Sequence, residues 1–255
     1  MEADMQKFLS KSFLIIFILS LLSGFSYSLK AQDTEITEGR EYWFGLPYCK
    51  MKQHENIRGD APIVMWLSSK FDTKVKMTIP ETGVIKNFKV DANKITQVVF
   101  DDQLMCRESE VVTNNGIHLL AEDPISVSIY YSYEWTGEAF RVIPIDWLGK
   151  KYVTLNMYLD QIDEMKPPQI LIVAVEDNTE VTYIPTNNTE KVKAKQQKTV
   201  VLMKGQTYLI LGEMNSAYVQ DWASDITGTY ITSSKPVAVF SGHTKGAFPR
   251  YYVGY

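Results

Sequence analysis

Three imidazoles, His54, His118 and His243, are the first residues to test for chemistry, because histidine titrates near neutral pH and ligates metals. None has a second ligand at a spacing that metal sites use. His118 falls in the apolar run IHLL, which reads as strand surface or core, and His243 stands in SGHTKG, a Gly-flanked stretch close to Ser241. A serine nucleophile there lacks both a nucleophile elbow and an acid placed to orient the imidazole. The neighbouring carboxylates Asp101 with Asp102, and Glu176 with Asp177, sit side by side, whereas glycoside hydrolysis needs a pair about 5 to 10 Å apart across a cleft. Calcium asks for about six or more oxygens, and no Asp-x-Asp-x-Asp-Gly loop is present. Turn chemistry is the better reading, with no catalytic residue, no metal and no cofactor.

A contact surface is better supported. In YYSYEWTGEAFR, residues 130–141, the side chains of Tyr131, Tyr133 and Trp135 share one strand face by the period of two, and Arg141 follows a Gly turn. Tyr, Trp and Arg are the types enriched at binding hot spots, and a flat aromatic row also suits sugar rings. The competing reading is that this face packs a core or a junction. Cys49 and Cys106 are the only two cysteines. An oxidising compartment allows them to pair, while the sequence does not say whether their Cα atoms come within bridging reach.

The elements that must position these residues follow a leader. Lys7 and Lys11 precede the apolar core FLIIFILSLL and then small residues up to Ala31, the pattern of a secretory signal peptide over residues 1–31. That core is about half the ~20 apolar residues a membrane span requires, so the expectation is export to the cell surface, the extracellular space or the periplasm, without stable membrane insertion. A formal net charge of −4 argues against nucleic acid as a partner, since phosphate binding rests on clustered Lys and Arg. The one lysine cluster, KVKAKQQK at 191–198, alternates like a solvated edge strand.

After the leader the helical period is nearly absent. Short runs rich in Val, Ile, Tyr and Thr recur instead: PIVMWLSS, KVKMTIP, PISVSIYYSY, QILIVAV, EVTYIP, TYLILG, PVAVFSG, each bounded by Gly, Pro, Asn or Asp. This is an all-β signature at sandwich spacing. Four ordered matches then suggest one unit written twice. Gly39, Tyr42 and Tyr48 align with Gly149, Tyr152 and Tyr158; Asp72 and Pro80 with Asp177 and Pro185; Gly116 and Pro124 with Gly228 and Pro236; Ala139 and Phe140 with Ala247 and Phe248. The offsets stay between 105 and 112 residues, about the size of one immunoglobulin-like sandwich. The expected fold is two tandem β-sandwich units, 32–147 and 148–255. The join DWLGKKY has no flexible linker, so a shared interface core is the linked alternative. The repeated prolines belong at strand ends or first residues, and the Asp and Asn of EDNT at turns where they bond their own backbone.

GREYWFGLPY, DPISVSIYYS, AFRVIPIDWLGKKYV, ILIVAVEDNTEVTYIP and DITGTYITSSKPVAVFSGH together resemble the N-terminal domain of the IgG Fc-binding protein family, in its exported bacterial form. The resemblance implies a secreted or surface-exposed adhesion or binding module for an extracellular protein or glycan, without a catalytic residue set. It carries no residue motif for Fc binding. Members usually continue beyond RYYVGY, which implies a domain cut from a longer surface protein or a truncated gene. A structural spacer and an exported hydrolase are the alternatives to binding.

Overall fold

In Thr73–Ile79 the side chains of Thr73, Val75, Met77 and Ile79 are buried and those of Lys74 and Lys76 are exposed, the period of two that a strand with one dry face dictates. The same alternation, or its loss, organises the rest of the computed structural model, which describes residues 37–49, 63–133, 136–156, 167–214 and 224–244. The predicted leader lies outside them. In chain order the strands are β1 (Glu38–Phe44), β2 (Ile63–Ser68), β3 (Thr73–Ile79), β4 (Val84–Val90), β5 (Ile95–Phe100), β6 (Val112–Thr113), β7 (Ile117–Tyr133) and β8 (Thr136–Val142). They continue as β9 (Lys151–Val153), β10 (Pro168–Ala174), β11 (Thr179–Ile184), β12 (Lys198–Leu202), β13 (Thr207–Leu211), β14 (Tyr230–Ser233) and β15 (Val237–His243). The fold is all-β, as expected, and its pairings are antiparallel throughout these strands.

The first sheet runs β4-β3-β7-β2-β5, with β1 and β8 also on β7. β7 serves two layers: His118–Ala121 pair with β3, and Ser126–Tyr131 pair with β2. Pro124 falls between those two pairings rather than at a strand start, so its missing N–H breaks no bond to either neighbour. Tyr42, Phe44, Met65, Leu67, Met77 and Ile129 are among the side chains packed between these layers. The later strands, joined by β6, form two four-stranded sheets, β15-β10-β13-β6 and β12-β11-β14-β9, with Ile170, Ile172, Tyr183, Tyr208, Ile210 and Ile231 in the core between them.

Residues aligned in the sequence can be compared by their ladder partners. Tyr42 faces Leu119 and Tyr152 faces Ile231; Met65 faces Ile129 and Ile170 faces Ser241. The aligned aspartates bond alike: Asp72 Oδ1 accepts the Ala92 N–H at 2.9 Å, and Asp177 Oδ1 accepts the Lys204 N–H at 3.0 Å. Asp72 thus caps the turn between β4 and β5, and Asp177 the turn between β12 and β13, while the local bond in EDNT is made by Thr179, whose hydroxyl donates to the Glu176 carbonyl at 2.7 Å. Those two turns carry positive φ at Asn93 and at Gly205, the left-handed region that Asn and Gly tolerate best.

β10 is buried on both faces, which its unbroken apolar run QILIVAV anticipates. One face joins the core above; the other, with Leu171, Val173, Leu209, Leu211 and Ala238, packs against Trp43 of β1 and Cys106. Each such buried aliphatic side chain is worth roughly 1.5–3 kcal/mol over exposure. A shared core therefore joins the early strands to the late ones. Backbone contacts tighten it: the Gly116 N–H donates to the Gly205 carbonyl at 3.2 Å, and a Cβ on Gly116 would collide with that oxygen. β6 adds to β13 as an edge strand, and before it Glu110 reaches into the later strands. Its buried carboxylate accepts the Tyr183 hydroxyl, the Thr189 hydroxyl at 2.9 Å and the Lys191 N–H at 2.6 Å. Burial first, and the Glu110 carboxylate beside it, hold the Tyr183 phenol far above its usual range. The lysine run 191–198 is consequently a loop wrapped on Glu110, and only Lys198 enters a strand.

Candidate functional site

Among the described residues β8 pairs with β7 alone and β15 pairs with β10 alone, so both are edges of the described sheets. Between them lies a cleft of about 480 Å³. Phe140 and Phe240 line it, with ring centroids 5.3 Å apart in an edge-to-face arrangement, and Glu138, Ser241 and His243 add polar groups. Burial raises the Glu138 carboxyl above the ordinary glutamate range. The cleft thus offers aromatic surface beside a carboxyl that keeps its proton to a higher pH than an exposed one.

The floor is pinned from both sides. Gln169 accepts the Tyr48 N–H at 2.9 Å and donates through Nε2 to the carbonyls of Tyr48 at 2.7 Å and His243 at 2.9 Å. The Tyr131 hydroxyl donates to the Pro47 carbonyl at 3.0 Å. The Asn156 side chain donates to the Gln169 carbonyl at 2.6 Å and to that of Gly242 at 3.1 Å. Side-chain amides of Gln169 and Asn156 thus tie the segment at Tyr48 to β10 and β15.

Tyr131 is 1% exposed and belongs to the first core, so its ring does not face solvent as the aromatic-row expectation required. It faces Ile63 across the ladder, inside the layers, because its strand parity matches Ile129 and Val127. Tyr133 sits at the end of β7 opposite Thr136, with its side chain outside the described residues, and Trp135 lies outside them altogether. Arg141 is exposed on β8 opposite Ser128. The residues the sequence reading passed over are Glu138, Gln169 and Phe240. Gln169 carried a signal, being the lone polar side chain in an otherwise apolar run.

Cys49 and Cys106 form no disulfide. They occupy different clusters, Cys49 with the first core and Cys106 against β10 and β13, where its thiol donates to the Thr207 hydroxyl at 3.6 Å. Burial pushes the Cys106 thiol up to about 11. His118 is stacked on Trp43 with centroids 4.5 Å apart, its Nε2 2.9 Å from Glu41 Oε1. Burial lowers its pKa, the bond to Glu41 opposing the shift. His54 lies outside the described residues. Ser241 donates to the Leu155 carbonyl at 3.2 Å. Asp101 accepts the Gln103 N–H at 2.9 Å, a turn bond. Among the described residues no group of three or more His, Cys, Asp or Glu side chains is placed to hold a metal ion, and no helix is long and apolar enough to cross a membrane.

No curated protein and no solved structure matches the chain. A family model does match, beginning within β8 at Glu138 and extending past β15, so that it takes in both walls of the cleft. Over residues 138–253 the chain matches the model of the family described as IgGFc binding protein.

Proposed function

We propose that the chain is an exported, non-catalytic module that binds an extracellular protein or glycan in the cleft between β8 and β15, and that it consists of two tandem sandwich units, 32–147 and 148–255. The observation that carries the reading is the juxtaposition of the Phe140–Phe240 pair with the Glu138 carboxyl on a floor fixed by Gln169. Aromatic edges take a sugar ring or an apolar side chain, and a carboxyl selects a hydroxyl or a cationic group beside it. The family match supports binding over catalysis, and its span covers the cleft walls. The β7–β8 hairpin that carries Tyr131, Tyr133, Trp135 and Arg141 remains the contact segment. Within it Tyr131 supports the floor, while Glu138, Ala139 and Phe140 touch the ligand.

The test is an array of extracellular glycans and proteins, with an immunoglobulin Fc fragment among them, probed with the wild type and with Ala139→Trp. Ala139 is exposed on the cleft wall, so a tryptophan there fills the cleft without entering a core. Signal on the wild type that Ala139→Trp abolishes supports the cleft. Equal signal from both chains removes it.

A further inference from the structure

The face of β10 and β13 that lies under the first strands has a matching face on β2 and β5, and there Trp66 and Val99 are exposed. By ladder position Leu171 matches Trp66, because Met65 and Ile170 hold the same place between their neighbours. Leu211 matches Val99 in the same way. Leu171 and Leu211 are buried, whereas Trp66 is 39% and Val99 is 55% exposed. Trp66 is stacked on Tyr130, centroids 5.2 Å apart and 16° from parallel, so the patch is a preformed aromatic surface.

The covering surface is duplicated as well. Trp43 covers the β10 face while paired with His118 across the ladder. The pair at the same ladder position later in the chain is Val153 with Tyr230, and it covers nothing: Val153 is 69% and Tyr230 is 40% exposed. Leu155, two residues on, is exposed where Gly45 packs on Leu171 with a glycine Cβ position 2.9 Å from its methyl. Bulk changes sides between the two surfaces. A large Trp43 lies over aliphatic Leu171 and Val173, and a small Val153 is available for the large Trp66, the large-to-small exchange that keeps packed volume constant.

We propose that the Trp66–Val99 face binds the Val153–Tyr230 face of a second copy of this chain, head to tail, repeating between molecules the junction that exists within one. The contact is heterologous, so nothing limits it to two copies, and association grows open-ended with concentration.

Sedimentation of the purified protein over a range of concentrations tests this with two surface variants, Val99→Lys and Val153→Lys, whose folding is checked by thermal melting. The wild type is expected to show an average mass that rises past two chains, and each variant alone to associate at least ~10-fold more weakly, as for a hot-spot loss. An equimolar mixture of the variants is expected to give a one-to-one dimer and nothing larger, because each supplies the face the other lacks. A wild type that stays a single chain at its highest soluble concentration overturns the proposal. So does a variant that associates as the wild type does, or a mixture that yields no dimer.

Discussion

Tyr42 and Tyr152 make the same bond in two places: the Tyr42 phenol donates to the Ile125 carbonyl, and the Tyr152 phenol donates at 2.7 Å to that of Val237, each acceptor being the residue after an aligned proline. Both tyrosines also reach back to the glycine three positions earlier, through the Gly149 N–H at 2.7 Å in one case and the Gly39 backbone in the other. The Gly-x-x-Tyr echo in the sequence is thus a latch that ties β1 to β7 and β9 to β15. Burial lifts both phenols above their ordinary range, as expected for hydroxyls that work as donors. Tyr42→Phe and Tyr152→Phe are each expected to lower unfolding free energy by about 1–3 kcal/mol, since a buried carbonyl loses its partner. Urea unfolding curves of the two variants give the comparison, and a loss in only one would show that the latches are unequal.

Glu110 is the larger investment in the junction. Glu110→Ala leaves the Tyr183 hydroxyl, the Thr189 hydroxyl and the Lys191 N–H without their acceptor. A destabilisation of about 3 kcal/mol or more is expected. Glu110→Gln, which keeps one acceptor oxygen, should fall between the alanine variant and the wild type when all three are unfolded in urea.

Stability should respond to pH through two groups of opposite sign. Burial lowers the His118 pKa below 6.5, so its contribution is complete above that value and is lost as pH falls through the lower folded value. Burial raises the Glu138 pKa above 4.5, so its contribution is present below that value and is lost as pH rises through the higher folded value. Glu138→Gln is therefore expected to melt higher than the wild type at neutral pH, with the two melting curves converging as pH falls toward the ordinary glutamate range. His118→Gln should flatten the decline below pH 6.5. Melting temperatures across the acid range separate the two.

Cys106 should be inert in the folded protein. A thiol raised to about 11 has almost no thiolate at pH 8. Alkylation at that pH, followed by mass spectrometry, is expected to leave Cys106 unmodified until denaturant is added. Without reductant, the unfolded chain should then show two reactive thiols, since no bridge joins Cys49 to Cys106.

Much of this architecture was written in short-range pattern. The alternation in TKVKMTI, the solid run QILIVAV and the aligned Gly-x-x-Tyr segments each follow from the period of a strand or from a local bond. What the pattern left open was parity across long distances. Whether Tyr131 faces the core or solvent depends on which neighbours β7 pairs with, and those lie some sixty residues away at Ile63. The lysine run failed as a strand for a related reason, because a distant carboxylate, Glu110, offers its backbone better partners than a sheet edge does. The cleft was least legible of all. It is assembled from Pro47, Glu138, Gln169 and Phe240, and only the fold brings them together.

Amide hydrogen exchange on the protein with and without a ligand taken from the array tests the binding account most directly. Slowed exchange concentrated at Glu138–Phe140 and Phe240–His243 is the predicted footprint. Protection confined to other strands, with the edges of β8 and β15 unchanged, would contradict it.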